Sequence, residues 1–434
     1  MKRTILIAIL LLLLFASCSK HDKKDCTKDI NVHARNFVKL ALSFGKYDAD
    51  YVDAYFGPDS LKKQTEIDVL SLEQVNIKVD SLIDCLKSIS DDKNFESSNM
   101  RLKHLLSMAV ALKTRIEFVN GKKLTFDDES RKIYGVTAPH YSKDNFEKFL
   151  KMLDYKLPGE GSLENRFNEF KKKFIIPVNK LDAVFKTSIA ECRRRTKTFI
   201  NLPENENFKI EYVKGKSWGA YNWYKGNSQS LIQVNTDLPA YIDAPLELAA
   251  HEGYPGHHVF HSLNEKIYSK EKNWVEYLIY PLFSPESLIS EGSASYGINV
   301  IFSKAEKVEY VKHVLFPIAG IDTTDADKYF EILDLISELK FSGIEAARDY
   351  LDGKITKDEA INWLVKYDLR TKERAEKNLK FFEQYRSYII NYALGEELIK
   401  IYIQNNGGTQ DNPSRIKDIF KTLLTKPMLP ADLK

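Results

Sequence analysis

Cysteine, histidine and net charge are all scarce in this chain, and each scarcity excludes something. Four cysteines in 434 residues, widely spaced and with no Cys-x-x-Cys pair, do not make a disulfide framework. One disulfide among Cys26, Cys85 and Cys192 would suit an oxidising compartment, but the spacing selects no pair, and buried or unpaired thiols are the expectation. The 64 Lys and Arg residues nearly cancel the 61 Asp and Glu residues. Without Lys2 and Arg3 the balance is 62 to 61, which leaves no basic field for nucleic acid. No fixed-period repeat stands out. The apolar run Ile5 to Phe15 is too short to span a bilayer. What the chain does have is 43% hydrophobic residues, with 23 Tyr and 24 Phe, enough for a well-filled globular core.

The first residues read as a processing signal outside the fold. Lys2 and Arg3 precede the apolar run, which ends in Phe15-Ala16-Ser17-Cys18, a sequence that resembles a bacterial lipobox. The expectation is a signal peptide over 1–17, a lipidated Cys18, and a polar tether over 18–29. The mature protein would then be exported and held to a membrane by its lipid; Ser19 leans toward the outer membrane, on its periplasmic or surface face. An ordinary secretory signal with an incidental Cys18 is the alternative.

From Ile30 to about Ile200 apolar residues recur at helical spacing, as in Ala34, Phe37, Val38, Ala41 and Leu42, and again in Leu102, Leu105, Leu106, Met108 and Leu112. Pro177 is expected to open a helix. Around Phe208 the texture changes: Lys209 to Val213 and Ser230 to Asn235 alternate as strands do. Between them, 214–226 is dense in glycine and aromatics, a turn that reads equally as substrate wall or local minicore. Asp243-Ala244-Pro245 and Ser284-Pro285-Glu286 each place a capping residue before an early proline, and Thr356 to Glu359 has the form of a capping box. The chain is therefore mainly α, with a small antiparallel β element just before its histidines. It divides into a helical part over 30–204, a core over 205–300 and a second helical part over 301–434.

Four of nine histidines fall in one window, from His251-Glu252 through Pro255-Gly256-His257-His258 to His261. Imidazole is the commonest ligand for zinc, and an adjacent His-Glu pair sets a ligand beside a general base. Helical zinc sites usually space two histidines four residues apart. Here the fourth residue after His251 is Pro255. On a straight helix His257 lies about 240° around from His251, and His258 lies about 10 Å along the axis, so neither serves well. Pro255 removes an amide and Gly256 tolerates unusual dihedrals, so a break there is expected to swing His257 back to His251, with His258 the alternative. The third ligand expected is Glu291, whose following small residues (Gly292, Ser293, Ala294, Ser295) would let its helix approach the one carrying His251.

These residues, His251-Glu252, Pro255-Gly256-His257-His258 and Glu291-Gly292 with Ala294 and Tyr296, resemble the domain-of-unknown-function 885 family, zincin-like bacterial metallopeptidases. Tyr51 to Pro58 and Tyr392-Ala393-Leu394-Gly395 extend the resemblance. It implies a large helical, gluzincin-type body, one zinc ion on His251, His257 and Glu291, and hydrolysis of peptide bonds. Two departures stand out: Ser293 replaces a tryptophan, and Tyr385 to Tyr388 replaces a proline-glycine run.

The chemistry expected is hydrolysis of a peptide by activated water, with Glu252 as base and Tyr392 or Arg386 as donor to the oxyanion. The strand Leu231 to Asn235 reads either as plain structure or as an edge that pairs with an extended substrate. His261 is a candidate supporting group behind the ligands, and the remaining histidines read as structural. The competing reading is an inactive metal- or peptide-binding lipoprotein of an outer-membrane uptake system. Glu252 counts against it, since a site that only binds metal needs no base.

Overall fold

The computed structural model describes residues 26–91, 100–216 and 218–433. The signal peptide and Cys18 lie outside the described residues. The folded part starts earlier than position 30. Cys26 is disulfide-bonded to Cys85, His33 Nε2 lies 2.7 Å from the Thr27 carbonyl, and Asp29 accepts from the Asn31 amide to cap the first helix. The expectation of unpaired cysteines is thus corrected for two of the three; Cys192 is buried and free.

That first helix, α1 (Ile30–Phe44), buries the expected stripe of Ala34, Phe37, Val38 and Ala41. It packs on α2 (Leu72–Ser90), opened by a Ser71/Gln74 capping box, and α2 packs on α3 (Met100–Val119). Between α1 and α2 runs a short strand, β1 (Val52–Tyr55). After α4 (Phe126–Tyr134), Pro177 precedes α5 (Val178–Thr196) as expected.

Three strands follow: β2 (Asn207–Val213), β3 (Ala220–Gly226) and β4 (Gln229–Asn235). The aromatic turn expected at 214–226 is largely strand β3, which forms an antiparallel hairpin with β4 through Asn227 and Ser228, both at positive φ. β2 pairs with β4 in parallel, and the order is β2-β4-β3. The sheet is therefore mixed, and β4 is its central strand, paired on both sides. This overturns Leu231 to Asn235 as a substrate-pairing edge; the strand edge facing the site belongs to β3. Ile232 and Val234 pack the sheet onto Phe185 of α5.

The histidine-bearing segment comprises α6 (Ala244–Leu248), a wide turn over Ala249–Gly253, and α7 (His257–Asn264). β5 (Ile279–Pro281) pairs antiparallel with β1 and ties the amino-terminal helices to the start of α8 (Pro285–Ile301). Asp243 and Ser284 stand before their prolines as expected, but neither side chain caps: Asp243 accepts from Tyr329 and Ser284 donates to the Pro281 carbonyl. The Thr356/Glu359 capping box forms as expected at the head of the helix Lys357–Tyr367. Beyond it, α9 (Lys372–Tyr385) leads through a tight turn at Arg386–Ile389 into α10 (Ile390–Asn405), which lies along α8. The body is mainly helical around a large buried core that runs from Ala34 to Leu433, with the smaller cluster of Phe185, Ile232 and Val234 beside it. No described helix is long and apolar enough to cross a membrane.

Candidate metal centre

α6 does not continue straight through the histidines. Its last turn widens, with the Tyr254 amide on the Ala249 carbonyl and the Gly256 amide on the Ala250 carbonyl, each at 2.9 Å. Tyr254 is extended, and α7 starts afresh at His257. Gly256 is required by close approach: a β-carbon there would sit 1.8 Å from the His251 carbonyl oxygen. Pro255 is held by Gly297 of α8, whose β-carbon position lies 3.0 Å from the proline ring. The break sits where the sequence put it, and it brings His251 and His257 together with ring centroids 4.8 Å apart.

Glu291 of α8 completes the group. Its Oε2 lies 3.3 Å from His251 Nε2 and 3.6 Å from His257 Nε2. One donor atom from each residue falls within 4.8 Å of the other two. Neighbouring groups fix the orientations. His257 Nδ1 lies 3.0 Å from Ser290 Oγ, leaving Nε2 to face the group, and Tyr388 donates to Glu291 Oε1 at 2.6 Å. Glu291 Oε2 is buried without any hydrogen-bond partner. Such an atom costs about 1–3 kcal/mol unless something answers it. A divalent cation among two imidazole nitrogens and this oxygen would answer it, and two nitrogens with one carboxylate is a donor set suited to zinc. Burial works against ionisation of Glu291, yet the imidazoles of His257 and His251 hold its carboxyl far below the usual range.

Glu252 is 5% exposed and lines the same cavity, of about 680 Å³. Its main-chain carbonyl accepts from Asn222 Nδ2 of β3 at 2.6 Å. Burial pushes its carboxyl up to about 7, against the pull of His251 and with the push of Glu291 and Asp53. A carboxylate with its proton affinity near neutrality is matched to accepting and returning a proton.

The other expected residues divide. Tyr392 lines the cavity, its ring stacked 6.3 Å from that of His251. His258 points elsewhere: Nδ1 is 2.8 Å from Ser230 Oγ and Nε2 is 3.1 Å from Glu206 Oε2, so both nitrogens are engaged. It locks α7 to β4 rather than replacing His257. Arg386 also turns away, donating to the buried Glu129 at 2.6 Å and covering the Phe118 ring. Ser387 donates to the same carboxylate, so Arg386 anchors the turn before α10 and does not reach the cleft. His261 lines the cavity beside His257, with ring centroids 6.3 Å apart. Ser293, at the departure from the family pattern, is buried and donates to the Ser290 carbonyl.

Sequence reasoning missed Tyr388, Ser290 and Asp53. Tyr388 was visible only as a departure in a motif, and Asp53 lies about two hundred positions from the histidines, brought in by the pairing of β1 with β5.

No protein-family model matches the sequence, so its resemblance to the domain-of-unknown-function 885 family rests on the quoted motifs alone, and no curated protein matches it either. Solved structures similar to this chain include the following three, each at 12% identity. A candidate lipoprotein from Colwellia psychrerythraea covers 86% of this chain and 71% of its own, with a TM-score of 0.49. A candidate lipoprotein of unknown function from Shewanella oneidensis covers 83% and 76%, with a TM-score of 0.40. The M32 carboxypeptidase of Deinococcus radiodurans R1 covers 93% of each chain, also with a TM-score of 0.40.

Proposed function

We propose that this protein is a zinc-dependent, zincin-like peptidase, exported and anchored through a lipid on Cys18. The observation that carries the reading is the buried, unanswered Glu291 Oε2 set between the Nε2 atoms of His251 and His257, with Glu252 on the wall of the same cavity. Zinc, when bound, would lower the pKa of water and polarise the scissile carbonyl. Everything else falls to the chain. Glu252 takes a proton from the attacking water and returns it to the leaving nitrogen. Tyr392, whose ring stacks beside His251, donates its hydroxyl proton toward the developing oxyanion. Asn222 holds the backbone at Glu252, and Ser290 and Tyr388 hold His257 and Glu291 in aim. The Cys26–Cys85 disulfide supports export, since such bonds persist in oxidising compartments.

The test uses purified protein. Metal analysis should return one zinc per chain, removed by a chelator and absent from His251→Ala and His257→Ala. Cleavage of a broad peptide library should fall by about a hundredfold or more in Glu252→Gln while zinc is retained. Zinc without turnover on any peptide would favour the binding-protein reading instead. The anchor is checked separately: fatty-acid labelling of the expressed chain should vanish in Cys18→Ala.

A further inference from the structure

We infer that Asp53 forms a subsite for a cationic group of the substrate, either the free amino terminus of a peptide or a basic side chain. The location rests on the peptidase reading; the chemistry does not.

Asp53 comes from β1, whose partner β5 holds it on the cavity wall beside the metal group. Among the described residues its one side-chain hydrogen-bond donor is the hydroxyl of Tyr221 on β3. Two buried acids elsewhere in this protein are answered by arginine: Asp48 by Arg115 at 2.5 Å and Glu276 by Arg101 at 2.6 Å. Among the described residues no lysine or arginine pairs with Asp53, and Lys225 is the weakest influence on it. Burial pushes the Asp53 carboxyl up to about 6; Tyr221 and His257 pull against this and Glu291 adds to it. Lys340, Arg370 and Lys377 also line the cavity, but none pairs with Asp53.

A carboxylate answered only by a phenol is an incomplete structural device, and it completes on a cation arriving from the cavity. The walls fit that ligand. Tyr221, Tyr280 and Tyr385 line the cavity around Asp53, and aromatic faces beside a carboxylate favour ammonium over neutral amide. Asp53 takes no part in the proton transfers beyond its push on Glu252, and Glu252→Gln removes that influence, so the two roles separate experimentally.

The experiment is calorimetric titration of zinc-loaded Glu252→Gln, which holds ligand without turnover. The probes are trialanine, N-acetyl-trialanine and an N-acetyl tripeptide carrying lysine. Trialanine should bind about tenfold to a hundredfold more tightly than its acetylated form, the span of one charge-assisted contact. Adding Asp53→Asn should erase the difference. Lysine restoring affinity to the acetylated peptide identifies a side-chain pocket, and failure to restore it identifies an amino-terminal one; both support the subsite. Equal binding of free and acetylated trialanine, with no gain from lysine, overturns it. So does a preference that survives Asp53→Asn in protein whose melting temperature is unchanged. The preference appearing in wild-type protein that cleaves nothing would leave the subsite standing and remove the peptidase.

Discussion

Gly292 and Gly395 meet back to back: a β-carbon on Gly292 would lie 2.5 Å from the carbonyl carbon of Gly395. That contact lets α8 and α10 touch backbone to backbone. It carries Glu291 and Tyr392 to one cavity from helices a hundred residues apart in the chain. The small residues after Glu291 thus serve two neighbours, α10 through Gly292 and the bend at Pro255 through Gly297.

A methyl group at Gly292 must therefore push the helices apart. Gly292→Ala should cost about 1–3 kcal/mol, as overpacking does. Gly343 is also helical, but its β-carbon would meet only Ile389 Cδ1 at 3.9 Å. Gly343→Ala should be neutral or stabilise by up to about 1 kcal/mol. Denaturant melts of the two variants check the contrast, and equal effects would contradict it.

Ser290 and Tyr388 hold His257 and Glu291, two of the three proposed ligands, without joining them. Ser290→Ala and Tyr388→Phe should each weaken zinc about tenfold to a hundredfold while keeping the fold. Competition with a chromogenic chelator reads the affinity. Unaltered affinity in both would mean that His257 and Glu291 are aimed by packing alone.

Arg386 is a partly buried structural cation whose partner, Glu129, is fully buried. Removing it leaves Glu129 uncompensated, so Arg386→Met should destabilise by about 3–5 kcal/mol. Restoring balance with Glu129→Gln in the same chain should recover part of that. Had Arg386 served the oxyanion, the variant would melt normally and lose turnover alone.

Stability should fall as pH rises because of Glu286. Burial, reinforced by Glu276, raises its carboxyl from 4.5 to about 8. Between these values the unfolded chain releases a proton that the folded chain keeps, so the contribution is full below 4.5 and lost through about 8. Glu286→Gln copies the protonated form and should flatten this slope. His104, 3.9 Å away, has its pKa lowered to about 4 by burial and works oppositely, losing its contribution as pH falls from 6.5 to 4. Melts at pH 5.5 and 8 in both proteins give the comparison.

Legibility in the sequence followed locality. Helix stripes such as Ala34 to Ala41 repeat within a few residues and were readable, as was the bend, because proline and glycine constrain the backbone where they stand. β3 was not, since glycine and aromatic residues read as a turn until a partner strand is known. The role of Arg386 was misread because its partner Glu129 lies 257 positions away. Nothing local separates a cleft arginine from one turned inward. The pairing of Cys26 with Cys85 spans 59 residues and is equally nonlocal.

The widened turn at Ala249–Gly253 has a practical corollary for comparing genomes. Histidine spacing along a chain is a property of backbone shape, and this shape lets two imidazoles meet six residues apart instead of the customary four. Searches that insist on the shorter interval would pass over any chain built this way, and a template allowing the proline-glycine detour would recover them.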